Sequence, residues 1–368
     1  MDKVKKAKFS ILSGAYVNAG DFLIVDRAIQ LIKHVYKDCE IVVYKRKNDL
    51  TEYIEDINKT DALILAGGPA YMMNAYPDII PLVADLDKIK TKIVSLGLGW
   101  YGKYTTDDYI YNDYKFTEKT KELLNRISKD SGFLTCRDWY SVKALKSNGF
   151  SNTIMTGCPA WYNIETIGKE KLREGINRSF KKICISDPAK SYHFEQAIEL
   201  IKYLKEKYPQ AEITCVFHRI EKENKLQEKV KNLGIKIENI SNSAEGFKIY
   251  NNCDLHIGFR VHAHIYNLSM RNISILIEED GRGTGANEAL GSKGVKAYEN
   301  RKRDSKLIRG IYKIVRKKYE KNNKYMIKNL DDILEELVQN DFIQYNTVFY
   351  NMNMYFKVME DSIRKIIE

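Results

Sequence analysis

Paired cysteines, long apolar runs and histidine are all scarce in this chain, and each scarcity excludes something. The 368 residues hold six cysteines (Cys39, Cys136, Cys158, Cys184, Cys215 and Cys253) and no C-x-x-C pair. A disulfide framework or a zinc site is therefore not expected, and no metal is called for. Cys184, Cys215 and Cys253 lie in apolar runs, where a thiol behaves as a small hydrophobe. Reduced thiols of this kind suit a cytoplasmic protein. No stretch approaches the ~18–20 uninterrupted apolar residues that span a bilayer. The opening MDKVKKAKFSILSG passes from charge straight into a short apolar run and reads as a first strand, not as a signal peptide. Basic patches interleaved with base-stacking aromatics are missing, and the 25 tyrosines are dispersed, so no nucleic-acid partner is expected.

What is present is an ordinary globular composition, 44% apolar and 30% charged, at a length that favours two domains. The net charge of +11 is concentrated: residues 301–325 hold eleven Lys/Arg against two acidic residues. Within 305–319, Leu307, Ile308, Ile311, Ile314 and Val315 share a helical face, with Lys306, Arg309, Lys313, Arg316 and Lys317 around it. Such a helix packs its apolar stripe on the protein or rests on the anionic inner membrane surface.

Short apolar runs alternate with longer amphipathic segments, the pattern of βαβ units around parallel sheets. Strands are expected at 8–13, 39–44, 61–66, 92–97 and 133–136. Helices are expected at 21–37, near 50–57, near 78–88, and at 117–130 and 139–148. A second series has strands at 181–186, 211–217, 235–240, 254–259 and 273–278, with helices at 193–207, 222–232, 244–251 and 263–269. A capped helix is expected at 329–338. The fold class is therefore α/β, two Rossmann-like domains facing across a cleft, with a helical C-terminal tail. The domains are 1–165, 166–300 and a basic helical tail, 301–368.

Ligands in open parallel sheets bind at the carboxyl ends of strands, so residues just beyond strand runs are the candidates. SGAYVNAGDFLI (13–24) offers a glycine-bearing loop in which Asp21 can cap the helix and Asn18 can fix the turn. It matches neither G-x-G-x-x-G nor the Walker pattern. In LILAGGPAYMM (63–73), Gly67 and Gly68 either let a ligand approach the backbone or form a plain strand-to-helix turn. Arg137 in LTCRDWYSVKAL stands at a strand end, and Asp138 can cap the next helix or pair with it. GFRVHAHIYN (258–267) spends two of only six histidines beside an arginine at a strand exit. Arg260 presents a fork for a carboxylate or phosphate, and His262 titrates near neutral pH, whereas His264 lies inside the helix and reads as structural.

In order along the chain, N-x-G-D (NAGD, 18–21), DALILAGG (61–68), CRDWYS (136–141) and GFRVHA (258–263) resemble the motifs of the polysaccharide pyruvyl transferase family. The resemblance covers nearly all of residues 8–295. It implies a glycosyltransferase-B-like fold and transfer of the enolpyruvyl unit of phosphoenolpyruvate onto two hydroxyls of one sugar, forming a cyclic ketal. Phosphoenolpyruvate is then a co-substrate, no other cofactor is implied, and the acceptor is a glycan or a lipid-linked sugar. Carried over, Arg137, Arg260 and His262 surround phosphoenolpyruvate, with His262 exchanging the proton. Asn18, Gly20, Asp21, Gly67 and Gly68 fall on the acceptor side or in its loops. Two positions depart from the family pattern: Cys158 stands where an aspartate is usual, and Arg282 where a lysine is common. The same fold also serves sugar-nucleotide-dependent glycosyltransferases, for which Glu245, Glu279 and Glu288 are candidate ribose partners, and non-catalytic carbohydrate-binding relatives.

Overall fold

A computed structural model of the chain describes residues 6–102, 105–107, 109–219, 225–298 and 322–367. Two parallel sheets organise it. The first has the order β2-β1-β3-β5, built from β1 (Lys8–Ser13), β2 (Glu40–Lys45), β3 (Ala62–Ala66) and β5 (Lys92–Leu96). Helix α1 (Ala19–Val35) connects β1 to β2, and a single α-turn, α2 (Ile54–Ile57), precedes β3. Beyond β3 and β5 the chain forms a short parallel ribbon, β4 (Pro69–Tyr71) with β6 (Gly99–Trp100). After α3 (Glu118–Ser131), β7 (Leu134–Cys136) docks beside β5 through the Leu98–Cys136 bridge. Helix α4 (Trp139–Lys146) leads to β8 (Thr153–Met155), which pairs with β7.

The second sheet has the order β11-β10-β9-β12-β13-β14. Its strands are β9 (Lys182–Ser186), β10 (Glu212–Phe217), β11 (Lys236–Asn239), β12 (Leu255–Gly258), β13 (Ile273–Glu278) and β14 (Gly294–Lys296). Numbered within the domain this is 3-2-1-4-5-6, the doubly wound order whose switch point lies between its first and fourth strands, here β9 and β12. Strands β12 and β13 are buried at every residue, as a sheet covered on both faces requires. The covering helices are α5 (Phe194–Lys207), α6 (Lys225–Asn232), α7 (Val261–Ser269) and α8 (Gly281–Leu290).

Several expectations need correction. Segment 78–88 is not a helix: Pro81 removes a donor, Leu82 takes a positive φ of 49°, and only short turns at Ala75–Ile79 and Leu86–Lys88 form. Residues Glu245–Asn252 coil as a 3-10 helix. The helix expected at 329–338 begins earlier, as α9 (Met326–Gln339), with Tyr325 at its N-cap, so Asn329 caps nothing.

The reading of 301–368 as one basic tail also changes. Residues 299–321, which include the amphipathic segment 305–319, lie outside the described residues. The described remainder, 322–367, carries five Lys/Arg against seven Asp/Glu and is structural. Its last helix, α10 (Gln344–Arg364), buries Tyr345, Val348, Phe349, Met352, Phe356, Met359 and Ile363. It starts on the second sheet and ends on the first. Tyr36 Oη donates to the Ile363 and Arg364 carbonyls (3.0 and 2.8 Å), and Lys92 Nζ to that of Ile366 (3.1 Å). None of the described helices is long and apolar enough to cross a membrane.

At its start, α10 supplies a missing rung of the sheet. β14 pairs with β13 only from Leu276 onward, and Tyr345 Oη takes the place of a strand at Ser274. It accepts from the Ser274 N–H (3.0 Å) and donates to the Ser274 carbonyl (2.8 Å). Tyr345→Phe leaves both buried backbone groups unpartnered, at a cost of about 1–3 kcal/mol each. Urea unfolding should show a lower midpoint at an unchanged slope.

Candidate functional site

At the switch point of the second sheet, the exits of β9 and β12 present Asp187 and Arg260 to each other. Arg260 donates from Nε to Asp187 Oδ1 (2.8 Å) and from Nη2 to Oδ2 (2.5 Å), a two-pronged pair fixed by planar geometry. The Arg260 backbone N–H donates to Ser186 Oγ (3.1 Å), which also meets His256 Nε2 (3.0 Å). Below it, Ser274 Oγ joins His256 Nδ1 and His264 Nδ1, each at 2.8 Å. Burial pushes both imidazoles down, His264 to about 3, so these are neutral core groups that hold the Arg260 turn in place.

The same arrangement recurs twice. Arg137, at the exit of β7, donates from Nε to Asp138 (3.0 Å) and from Nη2 to the Trp100 carbonyl (3.0 Å). Asp138 caps α4 as well, accepting from the Ser141 N–H (2.7 Å) and hydroxyl (2.8 Å). Arg282, in the first turn of α8, donates from Nε and Nη2 to Asp280 (2.9 and 2.7 Å) and lies over the Tyr101 ring. Burial raises the Asp280 carboxyl, but Arg282 outweighs it and holds the group at about 2. All three guanidiniums spend Nε and Nη2 on protein oxygens. Their Nη1 atoms carry no protein hydrogen bond among the described residues.

His262 sits in the first turn of α7, facing the N-terminus of α1 across the domain seam. The two are in close contact: a Cβ on Gly20 would come within 2.1 Å of His262 Nδ1. A Cβ on Gly99 would similarly strike the Arg137 guanidinium at 2.2 Å. Backbone bonds tie the seam, with the Ala19 N–H donating to the His218 carbonyl (3.0 Å) and that of Asn242 to Val17 (2.9 Å). Burial, then the charges of Arg137, Arg282 and Arg260, push the His262 imidazole down to about 3. Burial moves two carboxyls the other way. Asp21 is raised, partly offset by its hydrogen bond from Asn18 Nδ2 (3.1 Å). Glu279 is pushed up to about 7 while accepting from the Ala189 and Lys190 N–H groups.

One cleft thus brings together Asn18, Asp21, Arg137, Arg260, His262 and Arg282. Gly20 lies directly beneath His262. Asn18, not Asp21, occupies the N-cap position of α1, and its side chain bonds Asp21 instead of the helix N–H groups. Gly67 and Gly68 both take positive φ but do not line the cleft. A Cβ on Gly67 would meet Ile24 of α1 at 2.6 Å, so that glycine serves helix packing. Cys158 reaches the cleft as a thiol that burial keeps protonated. Of the carboxylates considered for a ribose, Glu245 lies in a separate groove, Glu288 accepts from Tyr140 Oη (2.8 Å), and only Glu279 lines the cleft. The sequence reading passed over Arg46, Asp187 and His218. All three stand at strand exits, of β2, β9 and β10, where the rule that found Arg137 and Arg260 also applies.

Two facing parallel sheets with a cleft at their strand ends define the glycosyltransferase-B-like class. Solved structures of similar fold include Staphylococcus aureus MnaA with UDP, at 11% identity and a TM-score of 0.55 over 96% of this chain and 94% of that one. A UDP-N-acetylglucosamine 2-epimerase structure from Listeria monocytogenes, at 10% identity and a TM-score of 0.50, covers 92% and 98%. At such identities the likeness is one of fold alone. No curated protein matches the chain. The family model for polysaccharide pyruvyl transferase matches residues 18–271, and the chain belongs to that family.

With a pKa of about 3, the His262 ring is neutral throughout the range from pH 5 to 8. Its ring-proton NMR signal, identified by its loss in His262→Gln, should stay flat across that range. Saturation with a multiply charged anion offsets the three guanidinium charges and should raise the pKa, so binding near pH 5 takes up protons. Calorimetry in buffers of different ionisation enthalpy measures that uptake.

Proposed function

We propose that the chain transfers the enolpyruvyl unit of phosphoenolpyruvate to two hydroxyls of one sugar in a surface glycan or its precursor, making a pyruvate ketal in the cytoplasm. The observation that carries this reading is the ring of Arg137, Arg260 and Arg282 around a neutral imidazole, each with an Nη1 amino group that takes no protein partner among the described residues. A small ligand bearing both a carboxylate and a phosphate suits three fixed donors of this kind.

The chemistry balances without a redox step. The methylene carbon of phosphoenolpyruvate takes a proton, and the oxocarbenium-like centre at the neighbouring carbon is attacked by a sugar hydroxyl. The bond to phosphate then breaks, and the second hydroxyl closes the ring. Two hydroxyl protons are released; one replaces that taken up at carbon and the other leaves on phosphate. Glu279, holding a proton near pH 7, fits the acid, and His262 fits the base. The seated anion offsets the arginine charges that depress His262, so the imidazole regains basicity when substrate is present. Glu279 adds a second proton carrier to the role first read for His262 alone. The arginines stabilise the departing phosphate.

Incubation with phosphoenolpyruvate and a glycan panel should release inorganic phosphate together with a mass gain on one sugar. His262→Ala should abolish release while keeping phosphoenolpyruvate affinity within about threefold, since a charge-neutral ring adds little to holding an anion. Arg137→Lys keeps a cation beside Asp138 but loses the fork, and should weaken phosphoenolpyruvate about tenfold. Gly20→Ala displaces His262 without harming α1 and should cost about 10²-fold in turnover. Release by wild-type protein that persists undiminished in His262→Ala and Gly20→Ala would overturn the assignment.

A further inference from the structure

Arg46 is the cleft guanidinium to which the mechanism gives no work. It follows β2 directly, its backbone N–H donating to the Ser13 carbonyl (2.8 Å), and its side chain turns back into the cleft. The guanidinium lies over Gly14, where a Cβ would stand only 3.1 Å from Cζ and Nη2. Its Nε is buried without a hydrogen-bond partner. Unlike Arg137, Arg260 and Arg282, it is bonded to no carboxylate among the described residues. The residue as a whole is part-buried, but a donor shut away from water with no acceptor is costly, and a ligand oxygen would complete it.

Arg46 shares the field of Asp21 with Arg260 and Arg282 but is not among the charges that depress His262. The charges acting on His262 are those of Arg137, Arg282 and Arg260, whereas Arg46 feels Asp21 and Tyr16. Around it the first domain builds a cationic, aromatic rim. Tyr16 is 38% exposed, and the Lys45 and Lys47 ammonium groups lie 5.2 and 5.4 Å from its ring centre. Lys45 Nζ donates to the Ala15 carbonyl, and the Lys47 N–H to Tyr16 Oη (2.9 Å), which fixes the ring.

We infer that the first-domain half of the cleft takes an acceptor sugar carrying an anionic oxygen group, phosphate or carboxylate, which Arg46 binds. That the ligand is the acceptor rests on the pyruvyl-transfer reading; that it is anionic rests on Arg46. The fit is one of chemistry: a planar fork for two oxygens, with the Lys45 and Lys47 ammonium groups nearby adding positive charge.

The test is thermal-shift titration of the full chain with N-acetylglucosamine 1-phosphate, glucuronic acid, neutral N-acetylglucosamine and phosphoenolpyruvate. Wild-type protein should bind at least one acidic sugar more tightly than the neutral one, and which acidic sugar does so tells phosphate from carboxylate. Arg46→Gln should weaken that sugar tenfold or more and phosphoenolpyruvate by less than twofold, and Arg46→Lys should recover part of the loss with an unchanged melting temperature of the free protein. Equal affinity for acidic and neutral sugars overturns the inference. So does an Arg46→Gln protein that loses phosphoenolpyruvate as strongly as the sugar, because Arg46 then belongs to the ring around His262. Wild-type protein that binds an acidic sugar but no phosphoenolpyruvate refutes the pyruvyl-transfer reading and leaves the Arg46 comparison standing.

Discussion

The cleft depends on keeping guanidinium charge at the ends of buried strands, where water is scarce. An unpaired cation there is expensive, and a cation paired on every side has nothing left to bind with. The chain meets both demands by the same device three times. Arg260 and Arg282 each give two donors to one aspartate, Arg137 gives one to Asp138 and one to the Trp100 carbonyl, and all three keep Nη1 free of protein partners among the described residues. The aspartates are themselves held by backbone N–H groups: Asp138 by that of Ser141 in the cap of α4, Asp187 by that of His218, and Asp280 by that of Arg282 itself. Guanidinium orientation is therefore set before any ligand arrives, which is what electrostatic catalysis requires.

Topology decides where this device can be placed. Asp187 and Arg260 leave adjacent strands, β9 and β12, whose connections run to opposite faces of the sheet, so a crevice opens between them. The first sheet contributes the α1 N-terminus and the exit of β2 from the facing side. The segment 17–21, which runs from the loop into the first turn of α1 and carries Asn18 and Asp21, also carries Val17 and Ala19, which bond across the seam. Site and domain contact are thus made by one short segment. Helix α10 ties the domains together a second time, from Ser274 to Tyr36 just past α1. Two separated ties constrain the angle between sheets more than either does alone.

Strand positions were legible because a strand covered on both faces has few sequences open to it: ISILIE at 273–278 is β13 to the residue. Helices with strong periodicity, such as 117–130, were found within a residue. The failures have local causes. Segment 78–88 has helical apolar spacing, yet Pro81 and the left-handed Leu82 outweigh it. Two- and three-residue strands such as β6 and β14 are too short to show any period. In the site, Arg137, Arg260 and His262 were readable because their motifs pair unusual residue types at strand exits. Asp187 and Arg46 stand at strand exits too, but an acidic residue before proline and an arginine between lysines look like ordinary surface until the fold turns them inward. The partners that make an arginine useful come from distant segments: Asp187 lies 73 positions from Arg260.

The Cys158 position can be understood in the same terms of charge. Arg46, Arg137, Arg260 and Arg282 face Asp21, Asp138, Asp187, Glu279 and Asp280 in or beside one cleft. Burial raises Asp21 and pushes Glu279 up to about 7, so Glu279 carries only part of a charge at neutral pH. An aspartate at 158, as is usual in the family, would add one more carboxylate beside Arg137 and compete for its Nη1. The buried thiol, which stays protonated, adds no charge there. It leaves Arg137 bound to Asp138 on one edge and open on the other. On that edge Cys158 therefore adds no carboxylate that could neutralise the Arg137 guanidinium.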